Sequence, residues 1–242
     1  MTKFYATVCL PAQPDGEVTD AVAAALARYD AHVGDDYNEQ WEWDWWHIRG
    51  DLPVRPEHDG DPRLVHNPVH RDGTTRPRQR LRCDGGPKRM LDLDALRSMA
   101  ADEARAQWRA WTELARQHPP AEPLSVLLTR YGDADEARAA HLAQPLVQEV
   151  AQRAILGDPH FGTYLLLTDP VAHFAGTEQE HADRAARQAF FTAALVTLDG
   201  RWVDAHRMGD GRADHLAYDR FRAAYLDELD GDAVIVHVLC HC

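Results

Sequence analysis

An aspartate and a histidine stand inside the densest tryptophan cluster of this chain, the run Trp41-Glu42-Trp43-Asp44-Trp45-Trp46-His47-Ile48. A carboxylate among indoles is desolvated, which raises its pKa toward the range useful for proton transfer, and a nearby imidazole is a natural partner. Asp44 and His47, with His206 from the segment after a later hairpin, therefore form a candidate acid/base set. On a strand, Trp41, Trp43, Trp45 and His47 share one face, and Glu42, Asp44, Trp46 and Ile48 take the other. The tryptophan face then reads as the floor of a pocket or interface, unless the strand is buried on both sides.

A second group of reactive side chains lies in His237-Val238-Leu239-Cys240-His241-Cys242. Cys240 and Cys242 project to one strand face about 7 Å apart, near enough to share a tetrahedral Zn²⁺, whereas His237 and His241 lie about 13 Å apart on the other face. Zinc would need Cys240 and Cys242 with ligands from elsewhere, such as Cys9, Cys83 or His206. No Cys-x-x-Cys pair accompanies them, so the expectation is buried thiols and no cofactor, with zinc as the alternative. The stretch Asp84-Gly85-Gly86-Pro87-Lys88-Arg89 has amides and cations that suit a phosphate, but reads first as a turn. The arginine run from Arg71 to Arg82 includes Arg78 and Arg80, candidate contacts to an acidic partner, and otherwise reads as a solvated loop. There is no Ser/His/Asp arrangement, P-loop or dinucleotide fingerprint.

The elements that must position these groups follow from periodicity. Residues 4–10 read as a first strand ended by Pro11, and Val18, Val22, Leu26, Tyr29 and Val33 recur at helical spacing over about 17–32. Residues 41–48 form the tryptophan strand. Residues 49–90 hold six prolines and no periodicity, and read as a long irregular, partly mobile insertion, the kind of segment that covers sites. Asp94 looks like the cap of a helix to about residue 117, lined by Leu96, Met99, Trp108, Trp111 and Leu114. Residues 124–130 suit strand or helix. Asp133 caps a helix to about 144, Pro145 opens another ending before Gly157, Asp169-Pro170 starts a short turn, and 178–189 is helical. Residues 191–205 read as a hairpin about Asp199-Gly200. Leu216, Phe221, Tyr225 and Leu229 mark a helix, and 234–239 is a last strand, apolar on both faces except for His237, hence central or well buried. These elements make a single α+β domain over 1–242, with a mixed or antiparallel sheet of about five strands packed against several helices.

Composition narrows the classes of function. The chain has 242 residues and a formal net charge of −13, which disfavours non-specific binding to nucleic acid or anionic membrane. No apolar run approaches the ~20 residues of a membrane span, and the first residues lack signal-peptide character, so a cytoplasmic location is expected. Nothing in the sequence sets an oligomeric state.

The Trp-Asp-Trp-Trp-x-Ile core at 43–48, the Cys83-Asp84-Gly85-Gly86 element, the segment from Ala194 to Trp202 with Arg207-Met208-Gly209 after it, and Val238-Leu239-Cys240-His241 together resemble a group of uncharacterised proteins from actinobacteriophages and actinobacterial genomes. In that group the tryptophan strand is usually followed by Ile-Gly-Gly-Arg-Trp, where this chain has Arg49-Gly50-Asp51. A Trp-Phe-Gly typical after Met-Gly is absent after Gly209, and Cys242 stands in place of a final isoleucine. The resemblance implies one compact fold and a phage or prophage connection, and supplies no reaction. The leading expectation is a binding or interaction protein that engages a host protein or a small molecule through Trp41, Trp43 and Trp45 and the basic loop at Arg78 and Arg80. The alternatives are a small-molecule enzyme built on Asp44, His47 and His206, and a metal-binding protein using Cys240 and Cys242.

Overall fold

Two largely apolar strands, residues 3–10 and 234–241, pair at the centre of the sheet, where such strands belong. The computed structural model describes residues 3–14, 16–32, 38–70, 73–209 and 214–242. Val33, Arg71 and Asp72 lie outside the described residues. The elements in chain order are β1 (Lys3–Leu10), α1 (Val18–Leu26), β2 (Trp45–Ile48), β3 (Leu52–Pro53), β4 (Arg82–Cys83), β5 (Gly85–Pro87), α2 (Leu93–Ala115), α3 (Leu124–Tyr131), α4 (Ala134–Leu142), α5 (Pro145–Ile155), α6 (Pro170–His173), α7 (Glu178–Gln188), β6 (Ala194–Val196), β7 (Trp202–Asp204), α8 (Ala205–Met208), α9 (His215–Glu228) and β8 (Val234–His241).

The main sheet has six strands in the order β2-β8-β1-β6-β7, with β5 also paired to β8. β1 runs antiparallel to β8 from Lys3 opposite His241 to Leu10 opposite Val234, and parallel to β6. The fold is thus α+β with a mixed sheet. Alternation along the strands sorts their side chains into two layers. One layer holds Ala6, Val8, Val196, Val236, Val238 and Cys240, packed with Val22 and Leu26 of α1. The other holds Cys9, Leu195, Val203 and Ile235, packed with Tyr218 and Leu226 of α9 and with Leu93.

The chain divides into two compact units, Met1–Arg97 with Arg187–Cys242, and Ser98–Ala186. The division falls inside α2, where no change of composition marks it. The second unit is helical, with its own core of Trp111, Leu114, Leu146, Val150, Phe161 and Phe174. Trp111 stacks on Phe174 at 4.9 Å.

Several boundaries differ from the sequence reading for identifiable reasons. The tryptophan strand begins only at Trp45, because the chain bends at Asp44. The insertion at 49–90 is built into the core: Leu52, Val54, Leu64, Cys83 and Met90 are all buried. Residues 124–131 are helical, ended by Gly132 in the left-handed conformation. Asp92, not Asp94, caps α2, accepting from the Ala95 amide at 3.1 Å, and Met99 points away from the core at 62% exposure. The hairpin is closed by a loop one residue longer than Asp-Gly suggests. Thr197 N–H donates to the Arg201 carbonyl, and Gly200 at φ +76° supplies the left-handed residue that such loops need.

Candidate functional site

The layer of the sheet that faces α9 is closed at one end and open at the other. Beyond Cys9 and Ile235 the same strand faces carry Thr7 and Tyr5 on β1, and His237, Leu239 and His241 on β8. The register sets Thr7 opposite His237, and on the other side Trp45 and His47 of β2 opposite His241 and Leu239. Arg49 follows in the same alternation, and its N–H donates to the His237 carbonyl at 3.0 Å. This open end therefore carries three imidazoles, an indole, a phenol and a guanidinium on one sheet face.

A cleft of about 670 Å³ opens there. Its floor is Tyr5, His237 and Arg49, one wall is Phe190 and Phe191, and the other comes from Gly50-Asp51 and Arg76. Asp84 fixes that second wall. Its buried carboxylate accepts from Gly50 N–H at 2.6 Å, Asn67 N–H at 2.7 Å and Arg76 Nη1 at 2.6 Å. Arg76 Nη2 in turn donates to the Gly50 carbonyl at 3.0 Å, and the Asp84 carbonyl accepts from His237 N–H at 2.9 Å. A Cβ on Gly50 would lie 2.9 Å from the Asp84 carbonyl oxygen and 3.0 Å from His237 Cβ, so glycine is needed where this wall crosses β8.

His237 is half-buried, with its ring edge-on to Phe190 at 4.5 Å. Its Nε2 is buried with no hydrogen-bond partner among the described residues. Burial holds the imidazole well below the usual histidine range, at about 4. The Arg222 cation adds to the depression and Asp84 opposes it. His237 is therefore neutral at physiological pH. Behind it lies a buried polar chain. Thr7 and Thr192 share a hydroxyl hydrogen bond of 2.8 Å, Arg222 donates to the Thr192 carbonyl and to Asp219, each at 2.9 Å, and Gln188 donates to Asp219 at 2.9 Å.

The residues singled out from sequence are distributed as follows. Asp44 meets neither His47 nor His206 in a hydrogen bond among the described residues; its carboxylate lies 2.5 Å from Nδ1 of His241. His47 packs against Trp45, ring centroids 4.7 Å apart. His206 is exposed on α8, close enough to Glu42 for its charge to be felt there. Glu42 pairs with Arg207, and burial pushes its carboxyl up. The bend at Asp44 breaks the expected tryptophan face. Trp43 is buried at 5% exposure and sits edge-on to Trp46 in the layer beneath α1, while Trp45 lies on the open face and Trp41 is half-buried. Arg78 and Arg80 both reach Asp59, at 3.6 and 3.4 Å. Cys240 is buried, its thiol pushed up to about 12 by burial, and Cys242 is exposed. Among the described residues no group of three or more His, Cys, Asp or Glu side chains is placed to hold a metal ion. No described helix is long and apolar enough to cross a membrane.

The glycine-rich turn also has structural work. Gly85 lies 2.5 Å, by its missing Cβ, from the Ile235 carbonyl oxygen; Lys88 Nζ donates to the Asp227 and Leu229 carbonyls at 2.6 and 2.7 Å; and Arg89 pairs with Asp232. The parts Arg49 and Arg222 play here escape sequence reasoning, while Asp84 was marked only as part of the glycine-rich turn and Arg76 only as one of the arginine run. His237 left one trace, as the polar exception in an apolar strand. Compared with family models, curated proteins and solved structures, the chain finds no match in any of the three.

Proposed function

We propose that this protein binds a small organic anion in the cleft at the open end of the sheet, with Arg49 as its charge partner. The observation that carries this reading is charge balance within the cleft. Arg76 is neutralised by Asp84, and Asp51 faces Arg82 at 3.6 Å. Arg49 is the cationic side chain among the described cleft residues that makes no ion pair with a described carboxylate. A concave site of this volume, with aromatic walls and few polar groups, has the character of small-molecule pockets, which favours a small ligand over a host protein. On a chain at −13, a local cation in a cleft also concentrates the field where an anion must arrive. Titration with a panel of simple carboxylates and phosphates, followed by thermal shift, tests it. At least one anion should stabilise the wild type, and Arg49→Gln should weaken its binding at least tenfold. An inert panel, or equal stabilisation of the variant, would overturn the reading.

A second reading, proton-transfer chemistry, is favoured by one contact. The Asp44 carboxylate lies 2.5 Å from Nδ1 of His241 and orients that imidazole, as a carboxylate does for a general base. In that reading His241→Gln removes turnover of a bound compound without removing its binding.

A further inference from the structure

We infer that the ligand of this cleft is an aromatic monocarboxylate, its carboxylate on Arg49 and its ring between Tyr5 and Phe191. The inference rests on the reading of the cleft as an anion site and goes on to specify the anion. Three observations select it.

The first is size. About 670 Å³ lies within the range of organic-ligand pockets, roughly 300–1,000 Å³, and far exceeds what an inorganic anion fills. The second is the chemistry of the walls. Phe191 is 68% exposed and Tyr5 39% exposed, and both border the cleft beside Phe190 and Leu96. Large rings left to water at a concave site are surface that a second ring covers, in offset or edge-on contact. Phe190 is buried and packed edge-on against His237 rather than over the gap.

The third is charge. Arg76 is already committed, Nη1 to Asp84 and Nη2 to the Gly50 carbonyl. His237 adds no cation at neutral pH. Among the described residues one guanidinium without an ion pair, Arg49, therefore faces the ligand, which matches a monoanion and leaves a phosphate dianion half unpaired. The planar fork of arginine also matches the two oxygens of a carboxylate.

The test is calorimetric titration of the full chain with benzoate, acetate and inorganic phosphate, in the wild type, Arg49→Gln and Phe191→Ala. Phe191 is 68% exposed but its ring also lies 5.9 Å from Arg222, so circular dichroism first checks that its variant keeps the wild-type fold. Benzoate should bind the wild type at least tenfold more tightly than acetate or phosphate. Phe191→Ala should weaken benzoate severalfold and leave acetate unchanged, and Arg49→Gln should weaken both carboxylates. Acetate or phosphate binding as tightly as benzoate, lost in Arg49→Gln, would overturn the aromatic assignment and leave the anion site standing. Benzoate binding indifferent to Phe191→Ala would do the same. If none of the three ions binds, or if binding is indifferent to Arg49→Gln, both the inference and the anion site fall.

Discussion

Arg222 has no exposed surface, and its partners include the Asp219 carboxylate, the Thr192 and Arg187 carbonyls, and the rings of Tyr218 and Phe191, 5.1 and 5.9 Å away. A guanidinium so placed has lost its hydration, and the pair holds only while both charges are present. Arg222→Met should therefore destabilise the protein by ~3–5 kcal/mol, because it strands the Asp219 carboxylate in the interior. Arg222→Met combined with Asp219→Leu should recover most of that loss, since an apolar pair needs no hydration. Urea denaturation of the two variants measures the difference, and a double variant no better than the single one would contradict the account. The same substitution has a second readout at His237, whose titration should move up when the cation behind it is removed. At this scale the sequence was a partial guide. It marked Asp44 as a carboxylate needing a partner, yet that partner, His241, is 197 positions away and is selected by strand register, which local pattern does not encode. It marked Arg78 and Arg80 by their density and passed over Arg49, which borders the cleft with His237.

Among elements, those legible in the sequence carry their signal locally. Continuous apolarity placed β1 and β8 in the sheet interior, and Asp133 and Asp169 do cap α4 and α6, each accepting two backbone amides. The segment 49–90 was illegible because its cohesion is long-range. Asp84 gathers amides from Gly50 and Asn67, 34 and 17 positions away, and two glycines let the backbones approach. Gly85 against β8 is the tighter of the two, its added Cβ falling 2.5 Å from the Ile235 carbonyl oxygen and 2.9 Å from Val236 Cα. Since the obstacles are backbone atoms, they cannot rotate aside. Gly85→Ala should cost at least the ~1–3 kcal/mol typical of overpacking, with Gly50→Ala toward the lower end of that range. Gly231→Ala, where the new carbon would meet only Arg89 Cβ at 3.4 Å, should be close to neutral. Melting temperatures of the three variants rank these effects, and a Gly85→Ala protein as stable as Gly231→Ala would show that β5 is not held against β8 as described.

For the whole molecule, two units with separate cores imply two responses to acid. In the helical unit, His173 is held at about 4 by burial, with the neighbouring His181 and Arg184 charges adding to the depression. Its ring packs against Phe174 at 4.7 Å and His181 at 5.0 Å. In the sheet unit, His237 is likewise held at about 4. An unfolded histidine titrates near ~6.5, so between that pH and 4 the unfolded chain binds protons that the fold refuses. Stability from both groups is then complete above ~6.5 and is lost as the pH falls toward 4. His66 in the sheet unit and His181 in the helical unit are also lowered by burial and act in the same direction, while Glu42 opposes it in the sheet unit, because burial raises its carboxyl and the fold takes up that proton early. The helical unit should therefore show the steeper acid dependence. Calorimetric scans between pH 4 and 8 should resolve two transitions, with the one assigned to Ser98–Ala186 falling faster below ~6.5. His173→Phe keeps an aromatic ring in contact with Phe174 and removes the titrating group, so it should flatten that transition's acid dependence and leave the other as it was. A single transition, or an acid slope that His173→Phe does not change, would mean that the two cores do not unfold as separate units or that His173 does not govern the helical one.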